Sequence, residues 1–455
     1  MVMKVLVLGN SGVAHALVWK LFNSDRIDQL ASAPGNGGAS ILAPIAPTHD
    51  TLKETVRWAY DEGFNVLVPA DGTVLGAGLA DEATPLKMAV WGAPKRSALV
   101  EHSPLWAKEF LNRYQIPTAT GRAFGDRATA ERYLAAHSLP VMLAGDYASE
   151  FDGAYSERGA AMAALEGIFA LPPQEGHFRG VVIEAPPAGP TVAYSCLTDG
   201  TTLLPLLPVR VYDRLDDGDG GWAAPGMGAH TSATPLLTKV GEYIHKLVME
   251  PLLAALKREN LPWWGILGVD CAISADGPKV LRIRTTLGDP EAQVVLPRLE
   301  DDLFTLIAAC NNRSLHSLPP LRWKLGASVG VSLVAHGYPH AFPTGLSIKG
   351  VNDLDSGVLA FHNETINPTG MKYVPIEVQM PEKRSLFTGF GEAFSEAMLV
   401  RPSGPSQLST AGGRALTVVA LGPSLTEARA KAYANLSRIT MPSAYHRSDI
   451  AIREI

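Results

Sequence analysis

Residues 3–22 read MKVLVLGNSGVAHALVWKLF, and this stretch decides how the chain begins to fold. Val5–Leu8 is an apolar run of the length of a short buried strand, and Gly9 follows it at once. Val13–Phe22 then has the apolar spacing of a helix. Because a strand, a glycine-rich turn and a helix follow one another, we predict an open α/β domain over roughly residues 1–100.

Further short apolar runs continue this pattern through the first hundred residues. They fall at Ile41–Ala46, Val66–Pro69 and Met88–Trp91, with helical patterns such as Thr51–Gly63 between them. Runs of this kind are typical of strands in a parallel sheet whose two faces are both buried.

The rest of the chain divides into a smaller mixed unit and a β-rich end. Residues 118–190 hold two helical and two strand patterns, and residues 213–228 form a Gly-rich stretch. From residue 327 strand patterns dominate. Residues 366–408 are rich in Pro, Gly and Ser and match no period. They are interpreted as a surface loop packed by its own side chains or as a segment that covers a neighbouring surface.

Composition argues against two classes of function. The 455 residues carry a net charge of −6, which argues against a general nucleic-acid binder. No apolar run approaches the roughly 20 residues that a membrane span needs. Three widely spaced cysteines, Cys196, Cys271 and Cys310, suggest neither a disulfide framework nor a zinc site. The N-terminus lacks the features of a signal peptide, so a cytoplasmic location is expected.

Several short motifs, each weak alone, match one family in order and spacing. They are Met3–Trp19, Ala33–Gly38, Gly226–Ala229, Leu287–Glu291, Gly337–Pro339, Thr410–Arg414 and His446–Ile450. Together they resemble the glycinamide ribonucleotide synthetases, also called phosphoribosylamine–glycine ligases. The resemblance implies an α/β fold with a Rossmann-like N-terminal domain (1–100), an ATP-grasp domain (101–326, with a lid at about 118–190) and a β-rich C-terminal domain (327–455, with an insertion at about 366–408).

The resemblance also implies an activity and a set of ligand-binding candidates. The family joins glycine to phosphoribosylamine through a glycyl phosphate, using ATP and magnesium. Candidates for the ribose phosphate are Gly9, Asn10, Ser11, Gly12, Gly35, Asn36 and Asp71. Candidates on the substrate side are Gly226, Met227, Gly228, Asp289 and Glu291. A glycine-rich turn before a helix can direct N–H groups at an anion, but it is also needed simply to pack helix on strand, and both interpretations stay open.

Four positions that contact ATP in the family carry unsuited residues here. The resemblance places family lysines at Pro104, Ala144 and Asp152, and a ribose-binding glutamate at Thr191. Proline and alanine bring no charge, and Asp152 reverses it. Two unit charges about 4 Å apart interact by about 4 kcal/mol at a surface-like dielectric, so an anionic loop should repel a triphosphate. The alternative is that Asp152 belongs to an exposed acidic loop with no role in ligand binding.

Two arginines precede the Gly-Asp-Pro-Glu run. Arg282 and Arg284 stand where the resemblance implies a Glu and an Asn that hold magnesium. Arginine stays protonated in proteins and cannot ligate a metal ion, whereas magnesium requires oxygen ligands. Either these arginines form salt bridges with Asp289 and Glu291, or they bind an anionic ligand directly in place of the metal.

These departures lead us to predict a non-catalytic or repurposed homologue that needs no cofactor. Its expected partners are a small anionic metabolite and a protein such as an intact paralogue, with no nucleic acid and no membrane. The alternative is an active or weakly active phosphoribosylamine–glycine ligase, which would use ATP and magnesium. The isolated histidines His15, His230 and His446 are interpreted as structural residues.

Overall fold

The N-terminal unit is a parallel sheet flanked by helices. The structure, a computed structural model, describes residues 2–147, 149–172, 174, 177–186, 188–232, 234–370 and 408–454. The strands are β1 Lys4–Gly9, β2 Gln29–Pro34, β3 Val66–Pro69 and β4 Ala89–Val90. The helices are α1 Gly12–Phe22, α2 Ala39–Leu42, α3 Leu52–Asp61, α4 Gly72–Gly76, α5 Leu79–Ala83 and α6 Lys95–His102. The strand order is β2-β1-β3-β4, and every pair is parallel.

The opening strand, turn and helix have local causes. Gly9 has a φ of 144°, which L side chains rarely adopt, and a Cβ there would lie 2.9 Å from the Cβ of Ala70. Ser11 then caps α1, because its Oγ accepts a hydrogen bond from the N–H of Ala14 at 3.4 Å. The predicted strand–turn–helix is therefore confirmed.

The predicted strand at Ile41–Ala46 is wrong. Ile41 lies in helix α2, and the strand paired with β1 is β2, twelve residues earlier in the chain. Asn36 explains the difference, since its Oδ1 accepts hydrogen bonds from the N–H groups of Gly38 (3.0 Å) and Ala39 (2.9 Å). Satisfying these first donors favours a helical turn over an extended run.

The lid is a small antiparallel sheet covered by two helices. Helix α7, Pro104–Arg113, leads into it. The lid elements are β5 Gly121–Phe124, α8 Arg127–Ala136, β6 Val141–Gly145, β7 Gly153–Tyr155, α9 Arg158–Ala170 and β8 Val181–Glu184. The strand order is β5-β8-β6-β7. Its own core includes Leu134, Leu143, Leu165 and Ile183.

A ten-stranded antiparallel sheet forms the rest of the molecule. Its strands are β9 Thr191–Thr198, β10 Leu203–Pro205, β11 Val209–Asp216, β12 Gly220–Ser232, β13 Gly265–Ser274, β14 Gly277–Arg284, β15 Ala327–Ala335, β16 Val358–His362, β19 Arg414–Gly422 and β20 Ala444–Tyr445, with β17 Thr365–Ile366 and β18 Ser409–Thr410 paired separately. Its helices are α10 Pro235–Ile244, α11 Glu250–Arg258, α12 Glu291–Val295, α13 Leu303–Asn311 and α14 Leu425–Leu436. The main path is β14-β13-β9-β11-β12-β15-β19-β16.

This arrangement confirms the predicted fold class: a Rossmann-like N-terminal unit, an ATP-grasp core with a lid, and a β-rich C-terminal part. Most of the Gly-rich stretch 213–228 lies in the paired strands β11 and β12. Of the insertion predicted at 366–408, residues 371–407 lie outside the described residues. None of the described helices is long and apolar enough to cross a bilayer.

One large core fixes the N-terminal unit against the central sheet. Val13 and Leu17 of α1 belong to the same buried cluster as Leu197 of β9, Val294 of α12 and Ile307 of α13. The glycine-rich turn before α1 is therefore held close to the Gly-Asp-Pro-Glu segment that begins α12.

Candidate functional site

Asn36 joins the first two glycine-rich loops to the C-terminal part of the chain. Its Nδ2 donates hydrogen bonds to the carbonyl oxygens of Asn10 (3.0 Å), Ser11 (3.0 Å) and His362 (2.8 Å). Its side chain is thus fully used in structure, and Asn36 positions the loops instead of offering a free group to a ligand.

Two other loop candidates also have structural roles. The Oδ1 of Asp71 accepts from the N–H of Thr73 at 2.7 Å and caps α4. Gly35 has a φ of 67°, and a Cβ there would lie 2.2 Å from the Cδ1 of Ile45. Gly35 is therefore required by the backbone and by close packing.

The retained motifs converge on a set of polar residues that we call the substrate-side network: Gly12, Asp289, Gln293, Asn363 and Arg414. Nε2 of Gln293 donates to Asp289 at 2.6 Å, and Nη2 of Arg414 donates to the other oxygen of Asp289 at 2.7 Å. A Cβ on Gly12 would lie 1.9 Å from the Oδ1 of Asn363 and 2.2 Å from the Nε2 of Gln293. Glycine at position 12 is what allows these two amides to approach α1.

The substrate-side network is incomplete in hydrogen bonds. Oε1 of Gln293, Oδ1 of Asn363 and Nε of Arg414 are buried and make no hydrogen bond with the described residues. Leaving a buried polar atom unpaired costs about 1–3 kcal/mol, so three such atoms in one place indicate a position for water or a ligand. Two acceptors and one donor suit a ligand that carries both amine and acidic groups.

Of the Gly226–Gly228 motif, only the first residue faces this network. Gly226 has a φ of 82°, and a Cβ there would lie 1.6 Å from Nη1 of Arg414. Met227 is fully buried in an apolar cluster with Val334, and a Cβ on Gly228 would meet Ile450 at 2.8 Å. Met227 and Gly228 therefore serve packing.

Four charged side chains form what we call the arginine cluster: Asp270, Arg282, Arg284 and Glu291. Arg282 on β14 lies directly opposite Asp270 on β13 and is hydrogen-bonded to it through Nε. Nε of Arg284 lies 3.2 Å from the other oxygen of Asp270, and its Nη1 donates to Glu291 at 2.5 Å. Glu291 also accepts from the Oγ of Ser195 at 2.7 Å.

Burial strengthens the charge–charge interactions within this cluster. Asp270, Arg284 and Glu291 are all buried, whereas the side chain of Arg282 is 56% exposed. Burial acts to raise the pKa of Asp270, but the guanidinium groups of Arg282 and Arg284 outweigh it and lower that pKa. Burial acts to lower the pKa of Arg284, and Asp270 and Glu291 outweigh it and raise it. Asp270, Arg282 and Arg284 are therefore charged at neutral pH.

The expected pairing of these arginines is correct in part. Arg284 pairs with Glu291 as anticipated, but Asp289 pairs with Arg414, and Arg282 pairs with Asp270. A magnesium ion does not fit these residues, since guanidinium groups already neutralise Asp270 and Glu291 and cannot themselves be ligands.

Asp152 accepts hydrogen bonds from described residues at both ends of the lid loop. Asp152 accepts hydrogen bonds from the N–H of Gly145 (3.0 Å) and from the N–H (3.3 Å) and hydroxyl (2.8 Å) of Ser149. Asp152 is partly exposed and Glu150 is exposed, and Asp152 has a structural role in the loop. Ala144 lies in β6 and contributes no charge to this loop.

At helix α7 the structure shows two buried ionisable side chains that sequence reasoning missed. Asp146 is buried beside the start of α7, where it accepts from the Oγ of Ser103 at 2.5 Å and the N–H of Leu105 at 3.1 Å. Lys108, also buried, donates to Glu184 at 2.6 Å.

Thr191 is the first residue of β9, and Pro104 is the first residue of α7. Asp146 was not singled out because its partners lie about forty residues away. The only signal for Lys108 in the sequence is that a charged residue stands on the apolar face of an amphipathic helix.

Comparisons with known proteins identify the family to which this fold belongs. Family models match three consecutive parts of the chain: the phosphoribosylglycinamide synthetase N domain (residues 3–101), ATP-grasp (A) domain (102–292) and C domain (328–453). A phosphoribosylamine–glycine ligase of Nostoc sp. is 31% identical over 468 residues, covering 99% of both chains. A trifunctional purine biosynthetic protein adenosine-3 of Gallus gallus is 30% identical and covers 99% of this chain and 42% of its own.

Solved structures give the same assignment of fold. The crystal structure of the phosphoribosylamine–glycine ligase of Thermotoga maritima superposes with a TM-score of 0.77 at 22% identity, covering 98% of this chain and all of that one. The biotin carboxylase domain of the Hydrogenobacter thermophilus 2-oxoglutarate carboxylase reaches 0.67 at 13% identity, covering 98% and 92%. The chain belongs to the phosphoribosylglycinamide synthetase family, within the ATP-grasp superfamily.

Proposed function

We propose that this chain acts as a phosphoribosylamine–glycine ligase, joining glycine to phosphoribosylamine with the consumption of ATP. The observation that carries the proposal is the end-to-end similarity to such ligases at about 30% identity, over all three domains. The retained motifs add support, because they meet in one buried polar network with unpaired atoms.

The network supports a role in substrate binding and orientation. The N–H groups at the start of α1 suit the phosphate of a ribose phosphate. Oε1 of Gln293 and Oδ1 of Asn363 can accept from an amine, and Nε of Arg414 can donate to a carboxylate. Holding two reactants in one orientation is a large part of what a ligase needs, because it replaces a bimolecular encounter.

A second candidate is a homologue that binds these ligands without standard ATP-dependent ligation. One observation favours it: Arg282 and Arg284, which stand where the resemblance implies magnesium ligands, pair with the carboxylates of Asp270 and Glu291. The first candidate therefore requires that other groups neutralise the triphosphate.

Turnover of purified full-length protein separates the two candidates. We expect ADP and phosphate to form only when glycine and phosphoribosylamine are both present, with and without added magnesium as parallel arms. Asp289→Asn should reduce turnover about tenfold or more, because Asp289 orients both Gln293 and Arg414. Asp61→Asn, in an exposed surface pair, is the matched control and should have no effect.

The outcomes are distinct. Turnover in any arm that falls in Asp289→Asn supports the ligase. No turnover in any arm, together with thermal stabilisation by ribose 5-phosphate that Asp289→Asn weakens, supports the second candidate. Absence of both turnover and stabilisation would contradict both candidates.

Location and partners complete the proposal. We propose a cytoplasmic protein, supported by three buried cysteines that are all free. A small anionic metabolite is the proposed ligand, and an intact paralogue is a proposed partner only under the second candidate. Purification from its own cells under mild conditions, followed by size analysis, would detect such a complex.

A further inference from the structure

A separate cavity lies between the N-terminal unit and the C-terminal part of the chain. Its volume is about 250 Å³. Its walls come from α1 and α2 on one side and from residues 351–362 on the other, and they include His15, Trp19, Leu42, Leu354, Phe361 and His362. None of the residues of the substrate-side network or of the arginine cluster lines it.

The protonation of His15 is fixed by its neighbour. The backbone N–H of His362, which can only donate, gives a hydrogen bond of 2.9 Å to Nδ1 of His15. Burial, followed by the nearby ring of His362, lowers the pKa of His15 well below its ordinary value, so the ring is neutral. A neutral imidazole that accepts at Nδ1 carries its proton at Nε2.

His15 is therefore a donor without an acceptor among the described residues. Its side chain is 95% buried, its ring lines the cavity, and no hydrogen bond from Nε2 is present in the described part of the chain. The ring of His362 is neutral as well, because burial lowers its pKa to about 4. The lining residues thus include two neutral histidines and neither a lysine nor an arginine, and their one carboxylate, Asp355, is paired with Arg438 at 2.7 Å.

The volume and the aromatic walls of the cavity suit a flat ring system. The ring of Phe361 meets His15 at 5.4 Å and Trp19 at 5.9 Å, both edge to face. A cavity of about 150 Å³ with apolar walls can bind benzene. A cavity of 250 Å³ can accept a second fused ring.

We propose that this cavity is a binding site for a neutral molecule of two fused aromatic rings that bears a hydrogen-bond acceptor, and that Nε2–H of His15 donates to that acceptor. This goes beyond the ligase reaction and adds a second site. A ligand in this cavity would affect the position of the glycine-rich loops, because Asn36 is hydrogen-bonded to the carbonyl oxygens of Asn10, Ser11 and His362.

Benzimidazole and indole are matched probes for the full-length protein. They share one shape, but benzimidazole has an acceptor nitrogen where indole has a C–H. We expect calorimetry to show benzimidazole binding about threefold to tenfold more tightly, the contribution of one neutral hydrogen bond. The ¹⁵N resonance of His15 Nε2 should shift on addition of benzimidazole and much less with indole.

Two variants test the location. Ile41→Trp places a bulky ring in the cavity from a partly exposed position and should abolish binding of both probes, whereas Leu325→Trp, at a site that is 94% exposed, should change neither. His15→Phe should make the two affinities equal. Because that change also leaves the N–H of His362 unpaired and can impair folding, Ile41→Trp and the resonance of His15 carry the test independently. Equal affinities in the parent protein, binding undiminished in Ile41→Trp, or no binding of either probe near its solubility limit would each overturn the proposal.

Discussion

The substrate-side network and the arginine cluster are both buried and polar, yet they differ in how completely their groups are paired. In the network, Gln293, Asn363 and Arg414 each keep a buried atom without a hydrogen bond. In the arginine cluster, two cations face two carboxylates at contact distance, and only Nε of Arg284 among these described side chains lacks a hydrogen bond, although it lies 3.2 Å from a carboxylate oxygen of Asp270. A site with unpaired groups can gain stability from a ligand, whereas a self-neutralised cluster gains little and acts mainly as structure.

The largest effect is expected when one member of the arginine cluster is removed. Arg284→Met takes the guanidinium from between Asp270 and Glu291 and leaves two buried carboxylates with reduced pairing. Breaking a buried ion pair in this way costs about 3–5 kcal/mol. Hydrogen exchange of the amides of β13 and β14 measures this local loss in a chain of several domains, for which one global unfolding free energy is poorly defined.

Arg57→Met is the matched control for this change. Arg57 pairs with Asp61 one helical turn away, and both side chains are more than half exposed. Such surface pairs contribute about 0.3–0.5 kcal/mol. If Arg284→Met also costs less than about 1 kcal/mol, the cluster is not the structural unit described here.

A smaller effect is expected from replacing the two arginines by the residues that the resemblance implies. The double substitution Arg282→Glu with Arg284→Asn removes both cations and supplies oxygen ligands next to Asp270 and Glu291. Magnesium should then stabilise the variant by about 2.7 kcal/mol at a hundredfold excess over its dissociation constant, and should leave the parent protein unchanged. Thermal unfolding with and without the metal measures this difference.

The double substitution Arg282→Gln with Arg284→Gln is the control, because it removes the same charges without adding a carboxylate. Equal stabilisation of the parent protein by magnesium would show that a metal site exists despite the two arginines. That result would also strengthen the ligase proposal over its alternative.

The sequence predicted features whose causes are local. The strand, turn and helix at the N-terminus follow from adjacent residues, and Arg284 and Glu291 are only seven positions apart. Strand β2 was missed because QLASAP is short and Ser32 interrupts its apolar residues, so that no apolar run marks it.

Features that depend on register or distant packing could not be predicted. Asp270 meets Arg282 because β13 and β14 pair in one particular register, with an irregularity between Asp270 and Cys271. The proton of His15 is placed by a backbone group 347 residues further along the chain. The same holds for the contact of Gly12 with Gln293 and Asn363, which joins three distant segments.

The smallest predicted effect is a dependence of stability on acid. The pKa of Asp270 is lowered in the folded protein, so its contribution is complete above its unfolded value of about 3.9 and is lost as pH falls below it. In that window the loss approaches about 1.4 kcal/mol for each pH unit. Asp270→Asn should flatten this slope, measured as the urea midpoint between about pH 2 and 6. Part of the slope should remain, because Asp449 titrates in the same direction. Burial acts to raise the pKa of Asp449, but hydrogen bonding to Arg447 opposes it and the pKa is lowered to about 2. An unchanged slope in Asp270→Asn would mean that the two arginines do not hold Asp270 as a carboxylate. The cluster would then not be self-neutralised at Asp270, and it would not differ from the open network in the way described.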